Sequence, residues 1–111
     1  MEAALRAIAE PRRREILRLV WNAERSAGDI ASHFDVSRPA ISQHLGVLRT
    51  AGLVTERRDG ARRLYRADRD ALARLQSSLE AFWSGRLASL KTQVEADEGR
   101  RRGRGVADGH D

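Results

Sequence analysis

Short polar and basic side chains follow one side of a predicted helix near the middle of the chain. Ser37 suits a helix N-cap, Pro39 fits the first turn, and Gly52 can end the helix, so residues 37–51 are predicted to be helical. Ile41, Leu45 and Leu48 recur on one side of it. The opposite side carries Arg38, Pro39, Ser42, Gln43, Gly46 and Arg49. Hydroxyl, amide and guanidinium groups can hydrogen-bond base edges and phosphates, so this side is suited to a DNA major groove.

A second, shorter helix is predicted immediately before this one. It covers residues 26–34, with Ser26 as its cap and with Ile30, Ala31 and Phe34 on its buried side. Asp35 and Val36 then form a tight turn. Two helices joined by such a turn have the layout of a helix-turn-helix, in which the second helix enters the groove.

A basic β-hairpin is predicted after the second of these helices. Residues 53–58 and 61–66 flank Asp59 and Gly60, a dipeptide typical of hairpin turns. Four arginines surround this turn, namely Arg57, Arg58, Arg62 and Arg63. Side chains alternate along a strand, so about half of them can face one side. We expect Arg62 or Arg63 to contact a phosphate or the minor groove, and either Leu64 or Tyr65 to anchor the hairpin on the preceding helix.

The first 25 residues predict two helices and a loop. Residues 2–9 place Leu5 and Ile8 inward, and a helix that starts at Pro11 has a core face of Ile16, Leu17, Val20 and Trp21. Residues 22–25 are expected to be the loop. Arg12, Arg13 and Arg14 stand at a helix N-terminus, where the helix dipole disfavours cations. Pairing with Glu10 and Glu15 would compensate for this, and contact with phosphates is the alternative.

The last helix is predicted to run from a cap at residues 68–70 to about Ala96. Its apolar residues step by three and four, and these are Leu72, Leu75, Leu79, Phe82, Trp83, Leu87, Leu90 and Val94. So long a stripe favours a dimer interface shared with the first helix, the alternative being a cover for the chain's own core. Residues 1–96 would then be one domain. Residues 97–111 would be a disordered basic tail, whose residues 100–104 are either a phosphate-binding arm or simply solvated.

Composition and charge favour a polyanionic partner. The chain has 111 residues, a net charge of +5 and a pI of about 11.1. Residues 26–67 carry seven arginines against four acids, whereas residues 68–111 carry eight basic and eight acidic residues. The excess positive charge therefore lies on the half that is predicted to bind DNA. No apolar run reaches the length of a membrane span and no stretch resembles a signal peptide, so we expect no membrane partner and a cytoplasmic location.

Metal and catalytic chemistry find little support in the sequence. Cysteine is absent, and His33, His44 and His110 share no ligand spacing. The chain has no glycine-rich phosphate loop and no nucleophile motif. We therefore expect neither an enzyme nor a bound cofactor.

Residues 9–17, 37–45 and 48–54, together with the hairpin and Tyr65, resemble the ArsR-type winged helix-turn-helix repressors. The resemblance covers roughly residues 3–95. It implies a homodimeric bacterial transcription factor whose groove-facing positions are Ser37, Arg38, Ser42, Gln43 and His44. Local capping or packing is the alternative for His44. Metal sensors of this family use Cys pairs or Asp/His sets that are missing here. The Phe82-Trp83 pair is similar to one in the small metal-independent members.

The sequence thus predicts a mainly α winged helix-turn-helix with a β-hairpin wing, which dimerises through its first and last helices. Its function would be repression by occupancy of a palindromic double-stranded operator, at its own or a neighbouring promoter, with an unknown small-molecule effector as a further partner. The alternatives are an activator of the same fold and a module that docks a protein through its last helix. The predicted DNA-binding residues are Ser37, Arg38, Pro39, Ser42, Gln43, His44, Arg49, Arg58, Arg62 and Arg63. The predicted dimer interface consists of Leu5, Ile8, Leu75, Leu79, Phe82, Trp83, Leu87 and Leu90.

Overall fold

Five α-helices and a three-stranded antiparallel sheet make up residues 1–103, the part of the chain that this computed structural model describes, with side chains described for residues 1–99. In chain order the elements are α1 (Glu2–Ala9), α2 (Pro11–Leu19), β1 (Arg25–Ser26), α3 (Ala27–Ala31), α4 (Arg38–Thr50), β2 (Val54–Asp59), β3 (Arg62–Ala67) and α5 (Arg69–Gly103). The winged helix-turn-helix that the sequence predicts is confirmed: α3 and α4 are the helix pair, and β2 with β3 is the wing.

The ends of α3 and α4 are fixed by the residues that the sequence singles out. The Ser26 hydroxyl accepts a hydrogen bond from the Asp29 N–H at 3.1 Å, and the Ser37 hydroxyl accepts one from the Ala40 N–H at 3.3 Å. Gly52 adopts a φ of +79° after the last turn of α4. There the Leu53 N–H donates to the Leu48 carbonyl and the Gly52 N–H donates to the Arg49 carbonyl, both at 2.9 Å. This pair of bonds is a Schellman motif, which requires the left-handed residue that glycine supplies.

One apolar cluster joins the helices to the sheet. Its members are buried side chains, and they include Ala7, Ile16, Leu17, Val20, Ile30, Ile41, Leu45, Leu48, Leu53, Val54, Tyr65 and Ala67. Trp21 was predicted to belong to this core and does not: α2 ends at Leu19, and the indole stays 37% exposed. The Arg69 guanidinium lies 6.0 Å from its ring centroid. The end of the helix turns Trp21 away from the face that Ile16 and Val20 share.

The strands of the sheet have the order β1-β3-β2, and their pairing differs from two predictions. Asp59 pairs with Arg62, so the two turn residues are Gly60 and Ala61 rather than Asp59 and Gly60. Gly60 takes the positive φ, +64°, that such a turn requires. The predicted loop before α3 also ends in a short strand, because Arg25 pairs with Tyr65 and Ser26 pairs with Leu64. Two residues are too short a run for alternation to reveal a strand.

The helix α5 belongs to two compact units, of which the first is Met1–Gln76 and the second begins at Ser77. Its start is as predicted, since the Asp68 carboxylate accepts a hydrogen bond from the Ala71 N–H at 3.0 Å. The helix runs to Gly103, past the predicted end at Ala96, so residues 97–103 are helical rather than a disordered tail. Gly99 costs a helix only about 1 kcal/mol, and its neighbours are good helix formers. Residues 104–111 of the predicted tail lie outside the described residues.

Substitutions at Leu48 and at its neighbour Val47 test which side of α4 is buried. Leu48 is completely buried and Val47 is 41% exposed. We expect Leu48→Ala to lower the free energy of unfolding by about 2–5 kcal/mol, because it leaves a cavity in the core. Val47→Ala should change it by no more than about 0.5 kcal/mol. Urea denaturation measures both, and equal losses would contradict the assigned orientation of α4.

Candidate nucleic-acid interface

The exposed side of α4 carries most of the predicted groove residues. Its buried stripe consists of Ile41, Leu45 and Leu48, and the solvent-facing side carries Ser37, Arg38, Pro39, Ser42, Gln43 and Arg49. Within residues 1–99, the side chains of Ser42 and Gln43 make no hydrogen bond to protein. Their donors and acceptors are therefore available to base edges.

Arg38 leans back across the first helix of the pair. A Cβ added to Gly28 in α3 would lie 3.4 Å from the guanidinium carbon of Arg38. The guanidinium therefore lies over the glycine, and it stays exposed to solvent. Because it lies at the junction of α3 and α4, it can reach a phosphate or a base beside the start of α4.

His44 is the one predicted groove residue that the structure turns inward. Its side chain is 19% exposed, its Nδ1 lies 3.3 Å from Arg13 Nη1, and its Nε2 lies 3.8 Å from a Glu10 carboxylate oxygen. These contacts favour local packing of His44 over a place in the groove. The spacing contains the signal, because position 44 comes three residues after Ile41 and so borders the buried stripe.

The arginines at the start of α2 are compensated in a way that the sequence analysis missed. Arg13 donates through Nε to the Ala7 carbonyl at 2.7 Å and through Nη2 to the Arg6 carbonyl at 3.2 Å, and Arg14 donates to the Ile8 carbonyl at 2.6 Å. Arginines commonly satisfy the free carbonyls at a helix C-terminus in this way. Arg13 and Arg14 therefore tie α1 to α2, and Arg12 remains exposed.

Glu10 caps α2 beneath His44. Its carboxylate accepts a hydrogen bond from the Arg13 N–H at 3.2 Å. Partial burial opposes ionisation, but the N–H groups of Arg12 and Arg13, followed by the charges of His44 and Arg13, hold the pKa of Glu10 below its usual value. An acid at a helix N-terminus is also favoured by the helix dipole.

The register of the hairpin divides the wing arginines between its two faces. Residues opposite each other in an antiparallel pair share a face, so Val54 with Ala67, Glu56 with Tyr65, and Arg58 with Arg63 form one face. Val54, Tyr65 and Ala67 belong to the core, so Arg58 and Arg63 continue the face that meets the helices. Arg57, Arg62 and Arg66 lie on the other face, together with Leu64.

Tyr65 connects the wing with the C-terminal end of α4. Its hydroxyl donates to the Glu56 carboxylate at 3.0 Å. Burial and this bond raise the pKa of Tyr65, while the nearby charges of Arg63 and Arg49 oppose the rise. One phenol thus lies close to an arginine of α4 and an arginine of the wing. Leu64 is also buried but lies on the opposite face, so Tyr65 is the one of the two that packs in the core with α4, as predicted.

The acids around the wing pair with its arginines to different extents. Arg57 makes two bonds to Glu24, whereas Arg62 and Arg63 lie 3.8 Å from Asp59 and Glu56. In the described part of the chain, Arg58 has no ion-pair partner. The sequence analysis assigned no role to Glu24 or Glu56. Glu24 is separated from Arg57 by 33 residues, and no local pattern predicts such a contact.

Residues 1–103 contain neither a cluster of metal ligands nor a membrane-spanning helix. No group of three histidine, aspartate or glutamate side chains there could hold a metal ion. None of the helices described is both long and apolar enough to cross a membrane.

Comparison with known proteins identifies the family. Residues 10–56 match the model of the bacterial regulatory protein, arsR family. The HTH-type transcriptional regulator Rv2034 of Mycobacterium tuberculosis is 38% identical over 96 residues, which are 86% of this chain and 90% of that protein. The chain belongs to the ArsR family. It is a winged helix-turn-helix DNA-binding transcription regulator, as the sequence analysis predicts.

Other members of the ArsR family differ in regulatory sign. The transcriptional repressor SdpR of Bacillus subtilis is 43% identical over 60 residues, which cover 54% of this chain and 67% of that one. The transcriptional activator HlyU of Vibrio cholerae is 39% identical over 61 residues, which cover 55% and 56%. The homodimeric winged helix-turn-helix DNA-binding domain of Mb0332 from Mycobacterium bovis superposes with a TM-score of 0.62 at 32% identity, over 72% of this chain and 74% of that one.

Glu10 makes the stability of this ArsR-family chain depend on pH. A carboxylate whose pKa is lowered on folding stabilises the fold above its unfolded pKa, and that stabilisation disappears as the pH falls through the folded value. We expect Glu10→Gln to lower the urea midpoint at pH 7. The difference from the unsubstituted protein should shrink once the pH falls below about 4.5, the usual value for Glu. The same deficit at both pH values would show that the charge of Glu10 does not contribute.

Proposed function

We propose that this ArsR-family regulator is a homodimeric repressor that acts in the bacterial cytoplasm by occupying a palindromic operator at its own or a neighbouring promoter. One observation carries the proposal. The helix α4 has an exposed polar side and packs with Val54 and Tyr65 in one core, and the wing face of these two residues also bears Arg58 and Arg63. A helix for the major groove is thereby combined with cations for the flanking backbone.

The exposed residues divide by chemistry into base readers and backbone contacts. Gln43 can bond an adenine through its amide oxygen and its amide N–H, Ser42 can bond any base, and Arg38 can bond a guanine or a phosphate. Ser37 and Pro39 bring the backbone at the start of α4 close to the duplex. Arg49, Arg58, Arg62 and Arg63 supply the phosphate and minor-groove contacts, and Arg58 is the first choice among the three wing residues because no acid pairs with it among the described side chains. His44 has a packing role instead.

Dimerisation is supported by apolar side chains that a single chain leaves exposed. Phe82, Trp83, Leu87, Leu90 and Val94 are each 43–59% exposed, and the rings of Phe82 and Trp83 pack edge to face at 5.5 Å. Leu5, Ile8 and Leu79 are half-buried and complete the proposed interface. Leu75 contributes less, because it is already buried within one chain. Two recognition helices one duplex turn apart read a palindrome, and linking two half-sites raises a weak affinity.

Release from the operator would be set by a small-molecule effector or by protein concentration. An effector site between the protomers near Trp83 is our proposal for the first case, since an exposed indole offers an apolar surface there. The second candidate function is activation through the same DNA-binding surface, because one relative is a transcriptional activator. Transcription in vitro from the bound promoter distinguishes the two, because a repressor lowers the transcript yield and an activator raises it.

Arg38 tests the DNA-binding surface. We expect Arg38→Ala to weaken binding to the operator by about 1–3 kcal/mol, because a charged contact at the start of α4 is lost. Arg74→Ala is the matched control, since it removes the same charge from an exposed position on α5. Fluorescence anisotropy with operator and scrambled duplexes measures both. Equal affinity of the Arg38 variant and the unsubstituted protein would remove Arg38 from the site.

Leu87 tests the dimer. It is 59% exposed, so Leu87→Glu should leave the folded chain intact while placing two carboxylates in an apolar interface, and we expect monomers in sedimentation equilibrium. Thr92→Glu is the control, because it introduces the same charge on the opposite side of α5. If the Leu87 variant stays dimeric, the interface lies elsewhere. The protein-docking alternative predicts a further contrast, because apolar docking would resist salt that abolishes DNA binding.

A further inference from the structure

A bidentate ion pair joins the wing to the rest of the chain. Arg57 on β2 donates through Nε to one Glu24 carboxylate oxygen at 2.9 Å and through Nη2 to the other at 2.7 Å. This parallel arrangement is the strongest geometry for an arginine and a carboxylate. Arg62 and Arg63 pair with acids inside the hairpin itself. Within residues 1–99, the Glu24–Arg57 pair is therefore the ion pair that joins the hairpin to a residue outside it.

The pair crosses the central strand of the sheet. Glu24 directly precedes β1, which pairs with one edge of β3, and Arg57 lies on β2, which pairs with the other edge. Two strand spacings amount to about 10 Å, a distance that the two long side chains span together. Arg57 stands opposite Leu64, so its stem covers that buried residue on the face away from Tyr65. The hydrogen bonds from Arg57, and after them the charges of Arg57 and Arg66, outweigh partial burial and lower the pKa of Glu24.

The Glu24–Arg57 ion pair lies where the three-stranded part of the sheet gives way to a two-stranded hairpin. The strand β1 reaches as far as Leu64, which pairs with both Ser26 and Arg57. Beyond that row the wing consists of two strands alone, and it carries Arg58, Arg62 and Arg63. Two-stranded hairpins are marginally stable and twist freely. The Glu24–Arg57 pair thus braces the wing at the row where the third strand stops.

We propose that Glu24 is a positioning residue for DNA binding, which holds Arg57 and thereby fixes the wing so that Arg58 and Arg63 face the duplex beside α4. The inference rests on the proposed function. It assigns Arg57 to the brace rather than to the DNA, because Glu24 already accepts hydrogen bonds from two of its donor groups.

The direction in which Glu24→Gln changes the affinity for DNA separates this positioning role from a simple effect of charge. Glu24→Gln removes a negative charge and releases Arg57, so charge alone predicts tighter binding to a polyanion. A loosened wing predicts weaker binding, because its arginines must be ordered again in the complex. If Arg57 contacted phosphate directly, Arg57→Gln would also lower the salt dependence of binding by about one phosphate contact.

The first experiment is an anisotropy titration against the duplex upstream of the protein's own gene, at several salt concentrations. We expect Glu24→Gln and Arg57→Gln each to bind DNA about 1.5- to fivefold more weakly, the fold-change to which the free energy of a surface ion pair corresponds, with no change in the salt slope. The double variant should be no weaker than either single one, and Glu24→Arg with Arg57→Glu should recover affinity. Glu80→Gln, the same change at an exposed position of α5, should not weaken binding. Equal or tighter binding by Glu24→Gln would overturn the proposal.

The second experiment needs no DNA. Amide hydrogen exchange in β2 and β3 beyond Arg57 should be faster in Glu24→Gln than in the unsubstituted protein, while exchange in α4 stays the same. If the unsubstituted protein preferred no duplex, the proposed function would fail, yet this measurement would still decide on the brace. Unchanged exchange in the wing would overturn the inference even if DNA binding were confirmed.

Discussion

The burial of one side of α4 is the constraint on which the rest of the structure depends. Ile41, Leu45 and Leu48 are at most 1% exposed, and they pack with residues of α2, α3 and the sheet in a single core. Burial of such side chains contributes about 1.5–3 kcal/mol each, far more than any exposed contact of the helix. These buried side chains therefore fix the rotation of α4 about its axis. Ser42, Gln43 and Arg49 face solvent as a result and need no protein partners to hold that orientation.

Hydrogen bonding and register extend this constraint to the neighbouring elements. Glu10 and Arg13 hold the junction of α1 and α2 against His44, so a residue of α4 helps to fix the first two helices. At the other end of α4, Tyr65 packs in the core with Leu45 and Leu48, and the strand register places Arg58 and Arg63 on its face of the wing. The wing arginines therefore differ in whether an acidic side chain pairs with them, and this matters more than their distance from the hairpin turn.

Local patterns were enough to predict the helix-turn-helix and the hairpin, because caps, glycine stops and apolar spacing act within a few residues. The predictions that failed depend on contacts distant in sequence or on where an element ends. Trp21 lies beyond the last turn of α2, the turn of the hairpin is shifted by one residue, and α5 continues past Ala96. Two contacts were not predicted at all, because Arg13 and His44 are 31 residues apart and Glu24 and Arg57 are 33 residues apart. The assignments of individual residues to DNA and to the dimer interface stay predictions.

The central claim is that the exposed side of α4 and the adjacent wing face bind a specific duplex. Its most direct test is an anisotropy titration of the unsubstituted protein against its own upstream intergenic DNA and a scrambled duplex at several salt concentrations. The account predicts tight binding that prefers the upstream duplex and weakens steeply as salt rises, because arginines displace counterions from the phosphates. Equally weak binding to both duplexes, or binding that salt does not change, would contradict it.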